Sequence, residues 1–583
     1  MSGPAPVHRG GSAPGRTTGS RRRIRPVSSV SEPFPTTVGE QMPTGFEYDV
    51  IVVGFGAAGA AAAIEAADRG ARVLVLDRGY GGGATAYSGG IIYAGAGTAE
   101  QQAGGYPDSA QNMQAYLTQE VAGAVSAETL TRFCEQSPAM IDWLKAQGVE
   151  FRGGQVPEYK TSYPTDSHYL YFSGNEKAYP YSAHAQPAPR GHRVLAPGMS
   201  SGRVLFERLR DSALAKGVDF IPLAQVHSLV QADDGRVTGV RYRVLDPAHR
   251  SARQHRTVAK ATGKLGTWMP GLIEGVVNRA ERLRARHSID THARAGAVIL
   301  AAGGFVHNRQ WMSAYAPDFL KISPLGTAGD DGTGIQLGLD AGGVTDKMGN
   351  VTAWRFLSPP SAFLEGLTVG ANGRRIANED LYGATHGDVL MRDFGGTGWA
   401  IYDAATWRKI RTQIKDQTQI FQRLQLWYLL TIGHKKAATV EGIAAKNGID
   451  AVGLRHTIDA YNRGIGSGTG DPGHKDAALC RPMERGPFYS INISAGSSMF
   501  YPIPGLTLGG LVVDENTGAV VHRDGGTVTG LYAAGRNAVG VCSNGYVSGL
   551  SISDCVFSGR RAGADAALAT GADPDFRRTP GRA

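Results

Sequence analysis

Tyr48-Asp49-Val50-Ile51-Val52-Val53-Gly54-Phe55-Gly56-Ala57-Ala58-Gly59, closing at Val73-Leu74-Val75-Leu76-Asp77, is the stretch from which the fold is read. The apolar run Val50 to Val53 predicts a strand buried on both faces of a parallel sheet. It breaks into a G-x-G-x-x-G turn, and the alanine-rich run Ala60 to Ala67 that follows favours helix. A second apolar run ends on the acid Asp77. Strand, glycine turn, helix and strand in one window form a βαβ unit suited to a dinucleotide. Gly54 makes the tight turn, Gly56 lets backbone approach a pyrophosphate, and Gly59 lets the helix pack on the strand. The helix N-terminus meets the phosphates, and Asp77 is placed to accept hydrogen bonds from a ribose. Glycine is abundant throughout, at 81 residues, so the flanking strand, helix and acid give the motif its weight. The motif says dinucleotide, not which one.

A chain of 583 residues is long enough for two or three domains, and 42% hydrophobic and 19% charged residues suit a globular protein. The formal charge of +9 does not describe the body. Arg9, Arg16, Arg21, Arg22, Arg23 and Arg25 all precede the first acid, Glu32, so the excess sits on a tail and nucleic-acid binding is not indicated. Residues 1–46, rich in Pro, Ser, Gly and Arg, are expected to be a disordered basic tail. The Arg21-Arg22-Arg23 cluster lacks the apolar stretch that an export signal requires. Cys134, Cys480, Cys542 and Cys555 are scattered, which disfavours a disulfide framework or a metal site and suits a cytoplasmic enzyme. No window of about 18 apolar residues appears, so no membrane-spanning segment is expected.

After Asp77 and Arg78 comes Gly81-Gly82-Gly83-Ala84-Thr85-Ala86-Tyr87-Ser88-Gly89-Gly90, dense in small and hydroxyl residues that can surround something flat and polar. With the G-x-G-x-x-G unit, with Ala297-Val298-Ile299-Leu300-Ala301-Ala302-Gly303-Gly304-Phe305 and with Gly530-Leu531-Tyr532-Ala533-Ala534-Gly535, it resembles the FAD-dependent fumarate reductase/3-ketosteroid dehydrogenase family. The resemblance covers most of residues 47–570. It implies an α/β fold in which a Rossmann-like FAD-binding domain is interrupted by an α+β capping (substrate) domain. The implied divisions are 47–350 and 495–570 for the FAD-binding domain and 351–494 for the cap, with a tail at 571–583. FAD, held non-covalently, is implied at Gly54, Gly56, Ala57, Ala58, Gly59, Asp77, Arg78, Gly83, Thr85, Ser88, Gly89, Gly90, Val226, Ala302, Gly303, Gly304, Asp331, Gly535, Arg536, Leu550, Ser551 and Ile552. The family pattern is departed from at 246–294, a basic insert. Leu272, Ile273, Val276, Val277, Ala280 and Leu283 recur there at helical spacing beside arginines, an amphipathic pattern that suits packing on the protein itself or peripheral membrane contact.

Two branches of the family differ in their cations. The dicarboxylate reductases need cationic groups where this chain has Leu506, Gly383 and Tyr546. A dicarboxylate buried without partners would cost several kcal/mol per charge. The ketosteroid dehydrogenases resemble Gly373-Arg374-Arg375-Ile376-Ala377-Asn378-Glu379-Asp380-Leu381-Tyr382 and Pro487-Phe488-Tyr489. By this resemblance Tyr382 is the proton acceptor and Tyr489 the donor to a 3-oxo group, with Tyr546 and Ser494 weaker candidates. A tyrosine base would need neighbours that lower its pKa from about 10. Tyr169, Tyr171 and Glu176 are expected near the entrance, and His386 and His434 read as structural.

The resemblance implies introduction of a C=C bond beside a ring ketone, most fittingly in a 3-oxosteroid, of either the Δ1 (C1–C2) or the Δ4-(5α) (C4–C5) type. With no second dinucleotide fingerprint, electrons would leave to an external acceptor, a quinone or a redox protein. The alternatives are an ene-reductase acting on a small neutral enone and a non-catalytic flavin-binding module.

Overall fold

In the computed structural model, residues 47–245 and 287–572 are described, together with Arg250 and Thr257. The Val50–Val53 run lies in the strand Tyr48–Val53, at the centre of an eight-stranded sheet. Tyr48–Val53 pairs in parallel with Val73–Asp77 (Val50 opposite Val73) and with Ser288–Leu300 (Ile51 opposite Val298). Asp219–Pro222 and Thr527–Ala533 extend the parallel pairing on either side. Both faces of the central strands are covered, so Val50–Val53 and Val73–Leu76 are apolar without alternation.

The strand Ser288–Leu300 does two jobs. Its last residues, Ala297 to Leu300, are uniformly buried and pair in parallel. Its first half runs antiparallel to Val237–Leu245, from Leu245 opposite Ser288 to Gly239 opposite Arg294, and there exposure and burial mix because one face meets solvent. The basic insert expected at 246–294 is therefore shorter than its pattern implied: residues 288–294 continue the sheet ladder. The amphipathic run Leu272 to Leu283, like the 1–46 tail and most of 571–583, lies outside the described residues.

Close packing holds the glycine turn in place. The helix Ala57–Asp68 is buried along almost its whole length. A Cβ on Gly59 would sit 1.9 Å from the Gly54 carbonyl oxygen, so only glycine lets helix and strand approach this closely. On its other side runs the C-terminal helix Leu550–Ala569, where a Cβ on Gly559 would meet the Ala58 carbonyl oxygen at 2.4 Å.

Residues Leu367–Val369, Trp399–Tyr402, Phe488–Asn492 and His434–Ala437 form a separate, antiparallel four-stranded sheet. The helices Gly383–Asp393, Ala404–Gln417, Ile420–Thr431 and Ala451–Gly466 belong to the same stretch of chain. A buried ion network ties it together. Arg375 donates to both oxygens of Glu379 (3.1 and 2.5 Å) and to Asp471 (2.6 Å), and Lys475 lies 3.0 Å from Glu379. Burial alone would raise the Glu379 carboxyl, but Arg375 and Lys475 outweigh it and hold it down to about 2. The stability linked to this group is fully present above the ordinary carboxylate pKa near 4.5 and is lost as pH falls toward 2. Arg375→Met leaves Glu379 and Asp471 buried with one cation between them, and the expected loss is about 3–5 kcal/mol. Denaturant melts of both proteins at neutral pH and near pH 3 check this: the gap between them should narrow in acid, and equal stability at neutral pH refutes it.

Candidate functional site

One cavity of about 2010 Å³ runs from the glycine turn to the residues around Tyr382. At the turn end its wall includes Gly54, Gly56, Ala57 and Ala58, then Asp77 and Arg78, and Gly83, Thr85, Ser88, Gly89 and Gly90. Val226, Ala302, Gly303, Asp331, Arg536, Ser551 and Ile552 complete that end. Strand ends, two helix N-termini and a glycine-rich segment converge here because a parallel sheet gathers its crossover loops at the carboxyl edge. Thr85 accepts the Ala57 N–H at 3.0 Å and pins that segment against the first helix. The Asp77 carboxylate accepts from the N–H groups of Phe55 (2.8 Å) and Gly79 (2.7 Å). Burial nevertheless pushes its pKa up from the usual range.

Of the residues implied for FAD or for catalysis, Gly59, Leu550, Gly304, Gly535, Tyr489 and Ser494 do not reach the cavity wall. Gly59 is taken up in the close approach of helix and strand, and Leu550 is buried in the core that Tyr93 and Leu506 share. Gly304 gives its N–H to Asp330 (3.2 Å), and Gly535 gives its own to Ser558 (2.9 Å). Tyr489 stacks its ring on Trp407 at 4.5 Å and 5°, with His434 beside it. Its strand sends Ile491 to the cavity and leaves Tyr489 two residues short of it. The structure does not support a donor role for Tyr489, because a hydroxyl outside the cavity cannot touch a ligand in it.

Asp330 was missed. It is buried, accepts from Thr327 N (2.9 Å) and Gly304 N, and pairs with Arg536 at 2.5 Å. Its neighbour Asp331 pairs instead with Arg78 and accepts from the Thr333 N–H. Arg536 keeps a second guanidinium nitrogen, Nη1, without a hydrogen-bond partner. An extended groove with an acid at the strand end, exposed backbone at the helix starts and one buried, unsatisfied guanidinium nitrogen fits an FAD molecule.

The other end of the cavity is aromatic. Tyr382, Phe356, Trp354 and Tyr546 form a continuous series of rings, with centroid separations of 5.6, 6.1 and 4.9 Å. Tyr382 stands at the N-cap of Gly383–Asp393, and its backbone N–H donates to Asn175 Oδ1 at 2.6 Å, which fixes the entry to that helix. Asn175 is held in turn by Glu120 and Thr385, both at 2.8 Å. Ser548, two residues after Tyr546, also lines the cavity and accepts from the Tyr171 hydroxyl at 3.1 Å. Burial first, then the nearby Tyr546 and Tyr171, push the Tyr382 phenol well above its ordinary pKa, with a partial offset from the neighbouring Ser548 hydroxyl. Burial also raises Tyr546, whose hydroxyl accepts from Ser551 at 3.2 Å. The expectation that neighbours lower the tyrosine pKa is therefore reversed: both phenols are held neutral.

Tyr171 reaches the site only through Ser548, while Tyr169 and Glu176 are buried behind the wall. Ser494 bridges the backbone of Gly398 and stays out of the cavity. His386 is fully buried against Thr368 at 2.9 Å, burial lowering its pKa to about 4, and His434 packs on Trp407. The last cavity residue to note is Arg355. It is 1% exposed, and its guanidinium lies 4.0 Å over the Tyr501 ring with Nε unpartnered. A cationic side chain that no motif flagged thus faces a chamber whose other walls are apolar and aromatic.

A family model described as an FAD binding domain matches residues 49–553. The chain is 37% identical over 528 residues to the 3-oxo-5-alpha-steroid 4-dehydrogenase of Comamonas testosteroni, spanning 88% of this chain and 97% of that one. It is 25% identical to a 3-oxosteroid 1-dehydrogenase of Mycolicibacterium smegmatis, over 86% and 94% of the two chains. Among solved structures it is similar to the 3-ketosteroid-delta4-(5alpha)-dehydrogenase of Rhodococcus jostii RHA1 in complex with 4-androstene-3,17-dione. There the TM-score is 0.75 and the identity 30%, over 90% and 98% of the chains. A flavocytochrome c3 fumarate reductase, at 22% identity and a TM-score of 0.59, shares the fold. With the groove, the strand-end acid and these matches in agreement, the chain belongs to the FAD binding domain family of flavoproteins.

Proposed function

We propose that this protein is an FAD-dependent dehydrogenase that forms a C=C bond beside the ketone of a 3-oxosteroid. Two of the relatives named above, the 4-dehydrogenase of Comamonas testosteroni and the delta4 enzyme of Rhodococcus jostii, support desaturation at the 4 position, while the 1-dehydrogenase acts elsewhere on the ring. The observation that carries the reading is the continuity of one cavity, from a dinucleotide groove to an aromatic chamber with two neutral phenols and a serine hydroxyl. The groove residues Gly56, Asp77, Thr85, Arg536 and Ser551 hold the cofactor in this reading. Bound FAD supplies the hydride acceptor.

The chain's own residues supply the rest. An apolar wall of Trp354, Phe356 and Leu506 suits a flat hydrocarbon ring system and excludes water, so hydrogen bonds inside it gain strength. A neutral phenol is a hydrogen-bond donor, and Tyr546 polarises the ketone oxygen in place of Tyr489. Polarisation acidifies the carbon next to the carbonyl. Tyr382, once its own proton has left to solvent, takes the proton from that carbon and returns to the neutral phenol, while the nearby Ser548 hydroxyl favours the charged oxygen before transfer. Electrons then leave to an external acceptor, a quinone or a redox protein. Arg355 offers one guanidinium, and a dicarboxylate would need cations for both ends, so fumarate is not the favoured substrate.

Purified protein should be yellow, and denaturation should release FAD into the soluble fraction; a colourless protein that takes up no FAD ends the reading. Anaerobic mixing with a 5α-3-oxosteroid should bleach the flavin absorbance, whereas succinate should not; comparable bleaching by both overturns the substrate assignment. Tyr382→Phe should fold, retain FAD and bind steroid, yet reduce its flavin about 10²–10⁴-fold more slowly. Tyr546→Phe should be slowed within the same range, while Tyr489→Phe should stay near the wild-type rate. Stopped-flow flavin reduction separates the three, and a normal rate for Tyr382→Phe reassigns the proton acceptor.

A further inference from the structure

The helix Ile420–Thr431 turns the wrong face to water. Leu426, Leu429 and Leu430 are buried beneath it, yet Ile420, Leu424 and Trp427 follow one another at i, i+4 and i+7 along its outer side. Ile432 continues this apolar surface, and the loop residues Met499 and Phe500 join it from the side. These six side chains are between 49% and 81% exposed. The loop is fastened to the helix: Gln425 Nε2 donates to the Phe500 carbonyl at 3.0 Å, and the Phe500 ring lies 5.1 Å from Tyr428. Large apolar side chains gathered on one rigid surface mark an interaction site, unlike those scattered singly.

Two further observations say what the partner is. From Gln417 to Val440 the chain contains no Asp or Glu, and its charged residues are Arg423, Lys435 and Lys436. All three are exposed, and none has a carboxylate partner among the described residues. Asp416 and Asp166, which accepts from Gln419, stand at the helix start; beyond them the segment carries only cations, which complements an anionic lipid surface where the side chains enter the acyl boundary and the cations stay with the headgroups. The second observation is position. Ile420, Leu424, Met499 and Phe500 are exposed and also line the great cavity, so the patch adjoins it.

We propose that this face docks the protein peripherally on anionic membranes, with the adjoining cavity opening onto the lipid. This is a different surface from the basic segment 246–286, which lies outside the described residues. The docking does not depend on the ketone reading. The consequence that a lipophilic ketone enters directly from the bilayer does rest on it.

Trp427 and Ile432 belong to the patch but not to the cavity wall, so Trp427→Glu/Ile432→Glu tests docking without touching the site. Flotation with phosphatidylglycerol-containing vesicles should carry the full-length holoprotein, less so at high salt and much less with pure phosphatidylcholine. The double variant should partition at least about tenfold less, since a buried aromatic and a buried branched side chain are both replaced by anions. Its flavin reduction by a ketone supplied in solution should match wild type, while reduction by ketone dissolved in vesicles should fall. Wild type that fails to float with any vesicle overturns the proposal. So does a variant that floats equally well, which would move the docking to another segment. A variant that turns a dimer into a monomer while wild type ignores lipid assigns the face to a second copy of the chain instead. Failure of the ketone reading would appear only in the flavin assays and would leave flotation intact.

Discussion

The close approach of three elements, strand Tyr48–Val53, helix Ala57–Asp68 and helix Leu550–Ala569, is the constraint on which the rest depends. Where the two helices cross, alanine and glycine predominate, because backbone must approach backbone to within van der Waals contact, and the strand packs Val50 and Val52 against them. The consequence is topological. A segment near the C-terminus is clamped against the first helix of the chain, and its approach loop delivers Tyr546, Ser548 and Ser551 to the same cavity as the glycine turn. Dinucleotide groove and aromatic chamber are thereby joined although some five hundred residues of chain separate their parts. Any bulkier residue at Gly59 or Gly559 would separate the layers and take the chamber apart from the far side.

The electrostatics of the chamber follow from the same enclosure. Exclusion of water raises both phenols, Tyr382 and Tyr546, and holds them neutral. The motif around Asn378 and Glu379 serves a different end. Its Glu379 is ionised, buried and claimed by Arg375 and Lys475, which locks the loop that carries Tyr382. One short sequence segment thus places a strong ion network and a candidate catalytic phenol side by side and keeps them electrically apart. Arg355 is handled in a third way, its charge spread over the face of Tyr501 with no acid beside it.

Much of this was legible in the chain. Unbroken apolar runs reported strands covered on both faces, and Gly54-x-Gly56-x-x-Gly59 with Asp77 located the groove, because these constraints act within one βαβ unit. The strand Ser288–Leu300 is legible only in part: its Ala297–Leu300 end is continuous and apolar, but its first half mixes Asp, His and Arg with the apolar residues, a pattern that does not distinguish a half-solvated strand from an insert. Tyr489 was misplaced for a related reason. A P-F-Y segment reports a strand, but how far along that strand the cavity begins depends on Trp407, from another element, which claims the ring.

By itself, then, the sequence determined what local periodicity and backbone sterics enforce: the α/β class, the dinucleotide turn and the acid at the strand end. Only the tertiary structure decided which of 22 tyrosines share a chamber, that Ser548 and Asp330 belong with them, and that an apolar helix face adjoins the cavity. The physical reason is range. A turn or a strand is specified by neighbours a few residues apart, whereas a hydroxyl's protonation and company are set by whatever distant segments exclude water around it.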